Sequence, residues 1–208
     1  PHVRILAQCT AEWLAHVLVA RGLAEGQPLR VSWGEFDSVM PEAMAIASSE
    51  TPPDAVVLLP WDRGLLAGNH AGVDERVDAT VGFWQQVWGV LAGAPGVRIL
   101  QVGVDARFTG SMGVHAGARS GEIAVSRRTS AALRDALPVG AWFVDLARVA
   151  GDVGRRHFYD HRQYHWAKQP FTHAGLAELA AHLHAGVRGL RTGPRKVLVL
   201  DLDHACWG

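Results

Sequence analysis

The chain has 208 residues, of which 20 are acidic, 20 are basic and 49% are hydrophobic. This composition is typical of one substantial globular domain with a sizeable core. The balanced charge, without a basic stripe, predicts no nucleic-acid partner, and no apolar run approaches the roughly 20 residues of a membrane span. We therefore expect no membrane partner and a cytoplasmic location. In that compartment Cys9 and Cys206 are expected to be thiols.

Strands and helices alternate along the chain. The pattern predicts strands at 3–6, 29–33, within 54–62, at 97–102 and at 141–146, and helices at 11–23, 40–48, 77–91, 126–137 and 173–190. Thr10 and Thr172 are expected to cap the first and last of these helices. Because strands joined by helices form right-handed crossovers, the pattern predicts a three-layer α/β/α domain with a mostly parallel sheet.

Other segments lack this alternation. Residues 106–122 have no apolar period and predict a long loop, and a solvated loop is expected at 160–162. Three tryptophans fall on apolar helix faces and are expected in the core, namely Trp13, Trp84 and Trp88. Three others stand near strand ends or loops and are candidates for a surface groove, namely Trp61, Trp166 and Trp207.

Polar residues follow several of the predicted strands. Ligands of parallel α/β sheets bind beyond the carboxyl ends of the strands. The residues at those ends include Gln8, Cys9, Asp62, Arg63, Asp105 and Asp145. We take the first four as candidate cleft residues. Asp62 and Arg63 could anchor a ligand or tie two loops together, and the second interpretation is favoured.

Two aspartates follow an apolar run near the end of the sequence. Asp201 and Asp203 are one residue apart, directly after Val197 to Leu200. Phosphoryl-transfer enzymes use such a pair, with one carboxylate to attack phosphorus and bind a cation and a second to move a proton. The plainer interpretation is a strand-to-turn junction, where aspartate is common.

Two segments carry a resemblance to a known family. "VLVLDLDHACWG" resembles the "LDLDNTLWGG" motif, and "FYDHRQYHWAKQPFTHAGLAELAAHL" resembles the "DxRLWYLAKxPFSxxG" segment, of FkbH-like proteins of the haloacid dehalogenase superfamily. The resemblance implies an SGNH-hydrolase-like (flavodoxin-like) domain over 1–190 and a linker over 191–195. Residues 196–208 would then be the first strand and aspartate motif of a haloacid dehalogenase-like domain that continues beyond Gly208.

The same resemblance implies an activity. Asp201 would be the nucleophile and Asp203 the general acid/base, and both would hold Mg²⁺. Cys206 would carry a glyceryl group from 1,3-bisphosphoglycerate as a thioester and pass it to an acyl carrier protein in polyketide biosynthesis. The sequence departs from the motif at His204 and Ala205. We expect the 208 residues alone to be inactive.

Three other functions remain open. The chain could be a non-catalytic binding module, a phosphatase of another phosphorylated metabolite, or an acyl hydrolase that uses Cys9. An SGNH esterase needs a serine after the first strand and a late Asp-x-x-His pair, because serine is a poor nucleophile without an imidazole. Spacing from Gly175 puts the histidine position near Gln169 or Pro170. Esterase catalysis is therefore expected to be lost.

Overall fold

The computed structural model describes residues 1–61, 72–106 and 113–192. Within these residues the chain forms five strands, eight α-helices and a short 3-10 helix. The strands are β1 (His2–Ala7), β2 (Arg30–Trp33), β3 (Ala55–Leu59), β4 (Arg98–Val102) and β5 (Trp142–Val144). The α-helices are α1 (Glu12–Ala24), α2 (Val39–Ala47), α3 (Val73–Leu91), α4 (Glu122–Asp135), α5 (Leu146–Val153), α6 (Arg155–Phe158), α7 (His161–Ala167) and α8 (His173–Thr192). The 3-10 helix is Gly113–Gly117.

The five strands form one parallel sheet in the order β2-β1-β3-β4-β5. Val3 in β1 pairs with Val31 on one side and with Ala55 on the other. Because all four pairings are parallel, every carboxyl end of a strand lies at the same edge of the sheet. This arrangement confirms the predicted α/β fold class with a parallel sheet.

Helices cover both faces of the sheet. Residues of β3 alternate between two apolar clusters, since Val57 packs with α1, α5, α6 and α8, and Val56 packs with α2, α3 and α4. The side chains of β3 are fully buried, as the continuous run "AVVLL" predicts for a central parallel strand. Burial of one such side chain stabilises the fold by about 1.5–3 kcal/mol.

Side-chain caps set the starts of α5 and α8 near the carboxyl edge. Asp145 accepts a hydrogen bond from Arg148 N at 3.1 Å at the start of α5, and Thr172 accepts one from Gly175 N at 3.0 Å at the start of α8. The predicted Thr172 cap is confirmed. A Cβ atom at Gly175 would lie 2.4 Å from the carbonyl oxygen of Phe158, so only glycine lets α8 approach α6 this closely.

The segment between β5 and α8 is more ordered than predicted. The expected solvated loop at 160–162 is wrong, because the Asp160 carboxylate accepts a hydrogen bond from Gln163 N at 2.9 Å and caps α7. Residues 113–117 of the expected long loop form the 3-10 helix, while residues 107–112 lie outside the described residues. The last helix extends two residues beyond its predicted end, to Thr192.

Three expectations at the surface also needed correction. Thr10 does not cap α1, since the N-cap position is Ala11 and the Thr10 hydroxyl bonds to another segment. Trp13 is 40% exposed because it lies on the outer side of α1, whereas Trp61 is only 7% exposed and does not line a surface groove. Trp84 is buried and Trp166 is exposed, as expected.

Several predicted features fall outside the described residues. These are Asp62, Arg63, Asp201, Asp203, Cys206 and Trp207, together with the expected strand at 197–200. Among the helices that the structure describes, none combines the length and apolarity that a bilayer crossing requires.

Candidate functional site

The candidate site is the carboxyl edge of the sheet, where β1 gives way to the turn Gln8 to Thr10. Gln8 N donates to the carbonyl oxygen of Leu59 at 3.0 Å, and Gln8 Oε1 accepts from Trp61 N at 3.1 Å. The candidate residue Gln8 therefore joins the end of β1 to the end of β3. This bonding fixes the turn that follows β1, where the resemblance to SGNH hydrolases implies that an esterase would carry its nucleophile.

Cys9, the second candidate residue, points into the apolar layer. Its side chain is 1% exposed and packs in the cluster of α1 and α8. It also borders a cavity of about 240 Å³ between the β1–α1 turn and the loop after β2. The thiol is thus at the cavity wall, while nearly all of its surface is covered by protein.

The cavity beside Cys9 is polar. Arg4 donates to a carboxylate oxygen of Glu42 at 2.6 Å, and both side chains border the cavity. Gly34 lies against Glu42, and a Cβ atom at Gly34 would be 3.0 Å from the Glu42 carboxyl carbon. Glu35 N also faces Glu42 Oε1 at 3.4 Å. The Arg4 guanidinium and the Glu42 carboxylate neutralise each other, but Glu12 and Glu35 also border the cavity, so its wall carries an excess of negative charge.

Thr10 ties the same turn to the end of α7. Thr10 N donates to the carbonyl oxygen of Lys168 at 3.0 Å, and the Thr10 hydroxyl donates to the carbonyl oxygen of Ala167. Lys168 ends α7 in the left-handed conformation, with φ of 54°. The polar groups of Thr10 are therefore used to hold α7 in place.

A buried carboxyl stands at the end of β4. Asp105 Oδ2 accepts hydrogen bonds from Arg155 Nη1 and from the Tyr159 hydroxyl, both at 2.9 Å. Burial raises the pKa of the Asp105 carboxyl above its usual range, even though Arg155 and Tyr159 favour the charged form. Asp105 thus joins the sheet to α6 through a charge that is almost fully removed from water.

Residues 169 and 170 occupy the turn between α7 and α8, where the sequence spacing places the histidine of an SGNH esterase. Both Gln169 and Pro170 are buried. Gln169 Oε1 accepts from Phe171 N at 3.4 Å, whereas Gln169 Nε2 has no hydrogen-bond partner among the described residues. The position that would supply an imidazole supplies an amide and a proline, neither of which can act as the general base of an ester hydrolase.

Aromatic rings fill the space between the strand ends and this turn. Trp61 contacts the rings of Tyr159, Tyr164 and Phe171, with centroid distances of 6.4, 5.6 and 5.9 Å. Such ring pairs add stability beyond the area that they bury. The space is therefore occupied by side chains of the protein, which favours a structural role for this part of the edge.

The sequence interpretation identified part of this arrangement. It named Gln8 and Cys9, but it treated Asp105 only as a strand-end residue and missed Arg155 and Tyr159. The apolar run before Asp105 was the available signal. It predicts a buried strand, and the end of that strand places the Asp105 carboxylate at the edge of the sheet. The described residues contain no group of three or more His, Cys, Asp or Glu side chains placed to hold a metal ion. The predicted metal ligands, Asp201 and Asp203, lie outside those residues.

The fold is similar to that of several solved structures. The N-terminal part of protein BF1531 from Bacteroides fragilis, described as containing a phosphatase domain complexed with Mg, matches 100% of this chain with a TM-score of 0.71 and 16% identity. The chain spans about half of that structure, 56% of its length. A protein from Slackia heliotrinireducens assigned as an SGNH hydrolase matches 89% of this chain and 97% of its own, with a TM-score of 0.53 and 15% identity.

A third structure is the salicylyl-acyltransferase SsfX3 from a tetracycline biosynthetic pathway. It matches 93% of this chain and 56% of its own, with a TM-score of 0.53 and 17% identity. No protein-family model and no curated protein matches the chain in sequence. At these identities the likeness concerns the fold, and the fold is that of the SGNH hydrolases.

Proposed function

We propose that the described domain is the SGNH-like, non-catalytic part of an FkbH-like enzyme that loads a glyceryl group onto an acyl carrier protein. The observation that carries the proposal is the match of the whole chain to the N-terminal part of the Bacteroides protein, whose description includes a phosphatase domain and Mg. The Asp201-x-Asp203 motif supports the same pairing of an SGNH-like domain with phosphoryl chemistry. Cys206 supplies the thiol that the glyceryl transfer requires.

In this proposal the reacting groups are the last polar residues of the sequence. The Cys206 sulfur bonds to the acyl carbon of 1,3-bisphosphoglycerate as the anhydride C–O bond breaks and phosphate leaves. Asp201 takes the second phosphoryl group, which water then releases, and Asp203 moves the protons. The phosphopantetheine thiol of the carrier accepts the glyceryl group, and Cys206 regains its thiol.

The expected Mg²⁺ is consistent with the donor chemistry of the motif. Asp201 and Asp203 offer carboxylate and carbonyl oxygens, the hard donors that Mg²⁺ prefers in phosphoryl-transfer sites. When bound, the ion neutralises charge on the phosphoryl oxygens. The two aspartates would hold it, and the described domain is not required to supply ligands.

The features of the described domain support a scaffold role for it in this proposal. Cys9 is almost fully buried, and Gln169 and Pro170 stand where an esterase would place its histidine. The Thr10 hydroxyl is bonded to the backbone of α7. The carboxyl edge is thus built to hold its own segments together, and the chemistry is assigned to Asp201, Asp203 and Cys206.

The test is intact-protein mass spectrometry of the protein translated from the whole natural reading frame, incubated with Mg²⁺ and 1,3-bisphosphoglycerate. We expect a glyceryl adduct that is lost in Cys206→Ala and kept in the matched control Cys9→Ala. Addition of a holo acyl carrier protein should move the adduct to the carrier. A folded protein that gives no adduct, or one whose adduct is kept in Cys206→Ala, would overturn the proposal.

A second candidate is acyl hydrolysis by Cys9, and the observation that favours it is the position of Cys9 at the wall of the 240 Å³ cavity. Hydrolysis of p-nitrophenyl acetate by residues 1–208 that disappears in Cys9→Ala and persists in Cys206→Ala would favour this candidate. Equal background rates for all three proteins would remove it.

A further inference from the structure

The segment 155–168 is much more basic than the rest of the chain. It contains four Lys or Arg residues, three histidines and one aspartate, although the whole chain has 20 acidic and 20 basic residues. Its exposed side chains include Arg156, Arg162, Trp166 and Lys168. These four residues lie in α6, in α7 and at the residue that ends α7, and we call them together the basic face.

The cations of the basic face have no carboxylate partner among the described residues, unlike several other arginines of the domain. Elsewhere, some arginines pair with carboxylates, as in Arg21–Glu25, Arg128–Asp74, Arg134–Asp135, Arg148–Asp152 and Arg188–Glu25. Others, such as the exposed Arg30, Arg98 and Arg127, form no salt bridge with the described residues. Within residues 1–61, 72–106 and 113–192, no carboxylate pairs with Arg156, Arg162 or Lys168. Their charge is therefore available to a partner.

Aromatic rings support two of these cations. The Arg162 guanidinium lies over the Trp166 ring at 5.8 Å, and Lys168 Nζ lies over the Tyr164 ring at 5.3 Å. Trp166 is 83% exposed, so a large apolar ring stands in water beside the charges. Exposed Trp and Arg together are the residue types that contribute most to protein–protein binding energy.

The backbone under the basic face is held at several points. Thr10 binds the carbonyl oxygens at the end of α7, Arg155 binds Asp105 at 2.9 Å, and Asp160 N donates to the carbonyl oxygen of Pro170 at 2.8 Å. A surface that is already ordered loses less conformational entropy when a partner binds. These hydrogen bonds also place the basic face at the carboxyl edge of the sheet, because Thr10 and Asp105 follow β1 and β4.

We propose that the basic face is the docking site for an acidic protein surface. Charge complementarity determines the partner, because three cations without carboxylate partners, one of which lies over the exposed Trp166 ring, attract a patch of carboxylates that also offers an apolar contact. Three cations on a chain without net charge are few for nucleic acid, whose affinity depends on neutralising many phosphates. The identity of the partner rests on the proposed function, under which it is the holo acyl carrier protein.

The test is the dissociation constant between the full 208-residue chain and a panel of fluorescently labelled bacterial holo acyl carrier proteins, measured by anisotropy at low and high salt. Arg156→Glu, Arg162→Glu and Trp166→Ala should each weaken binding about three- to tenfold. The matched control is Arg98→Glu, an exposed arginine at the amino edge of the sheet, which should leave the constant unchanged. Binding of the unchanged chain should weaken as salt is added, because exposed charges are screened.

Four results would overturn the inference: no binding to any carrier, binding that the three substitutions do not alter, an equal loss in Arg98→Glu, and tighter binding of a single-stranded oligonucleotide or an anionic vesicle than of a carrier. The adduct experiment separates this inference from the proposed function. A glyceryl adduct on Cys206 with unaltered carrier binding in the variants overturns only the inference that the basic face is the docking site. Carrier binding that depends on the basic face without an adduct overturns only the glyceryl assignment.

Discussion

Two tethers hold the segment between α5 and α8 against the sheet, and they differ in their chemistry. The Thr10 tether uses a backbone amide and a hydroxyl that bond to the carbonyl oxygens of residues 167 and 168. The Asp105 tether uses a buried carboxylate that bonds to Arg155 and Tyr159. The neutral tether is insensitive to pH, whereas the charged one makes the attachment of α6 depend on proton binding.

The largest expected effect is that of breaking the charged tether. Asp105→Ala removes an acceptor that is 7% exposed and leaves Arg155 and Tyr159 without it, so we expect a loss of about 2–3 kcal/mol in the free energy of unfolding. Urea denaturation measures this loss. Asp152→Ala removes an exposed carboxylate 3.9 Å from Arg148 and should change stability by less than about 0.5 kcal/mol. Equal losses in both variants would show that the Asp105 tether has no special role.

The pH dependence of the charged tether follows from the raised pKa of Asp105. Because the folded protein binds this proton more tightly than the unfolded chain does, its contribution to stability is fully present below the ordinary pKa of 3.8 and is lost as pH rises through the folded pKa. Asp105→Asn has no such proton. The stability of the wild type minus that of Asp105→Asn should therefore fall over this window and stay level above it, and a rise with pH would contradict the assignment.

Breaking the neutral tether should have a smaller effect. Thr10→Val removes the hydroxyl that donates to Ala167, with an expected loss of about 0.5–1.5 kcal/mol. Hydrogen exchange should become faster in the amides of α7, while those of β3 keep their protection. Thr10→Ser keeps the hydroxyl and should restore slow exchange; fast exchange in both variants would mean that the hydroxyl is not the tether.

The smallest expected effect on stability belongs to Trp166→Ala. Trp166 is 83% exposed, so its removal should change the free energy of unfolding by no more than about 0.5 kcal/mol. Thermal unfolding measures this change beside the binding assay of the basic face. A large loss of stability would assign Trp166 to packing and would remove it from the docking surface.

The sequence predicted the sheet well because its signal is local. Apolar runs such as Ala55 to Leu59 fix buried strands, and Thr172 before an apolar helix identifies a cap. The two tethers were not predictable in this way. Asp105 and Arg155 are 50 residues apart in the chain, and Thr10 was expected to bond within its own helix. The partners of Thr10 and Asp105 depend on how α6 and α7 pack over the sheet, and no short sequence pattern predicts that packing.

The candidate site was predictable only in outline. A parallel sheet places Gln8, Cys9 and Asp105 at one edge, and the alternation of strands and helices predicts this placement. The same sequence gave no sign that Cys9 would be almost covered, because burial of a thiol depends on the packing of α1 against α8. The aromatic cluster around Trp61 likewise joins residues from distant segments, so the sequence did not predict it and Trp61 itself was expected at a surface groove.

The packing of α1 against α8 also has a consequence for synthesis. These helices begin at residues 12 and 173, and Glu25 at the end of α1 lies 3.2 Å from His184 in α8. Contacts between segments so far apart close a large loop, which raises the entropic cost of forming them and slows folding. In the nascent chain, the apolar side of α1 stays uncovered by α8 until α8 has left the ribosome. Chaperones that bind short apolar helices should therefore act on this chain during most of its translation.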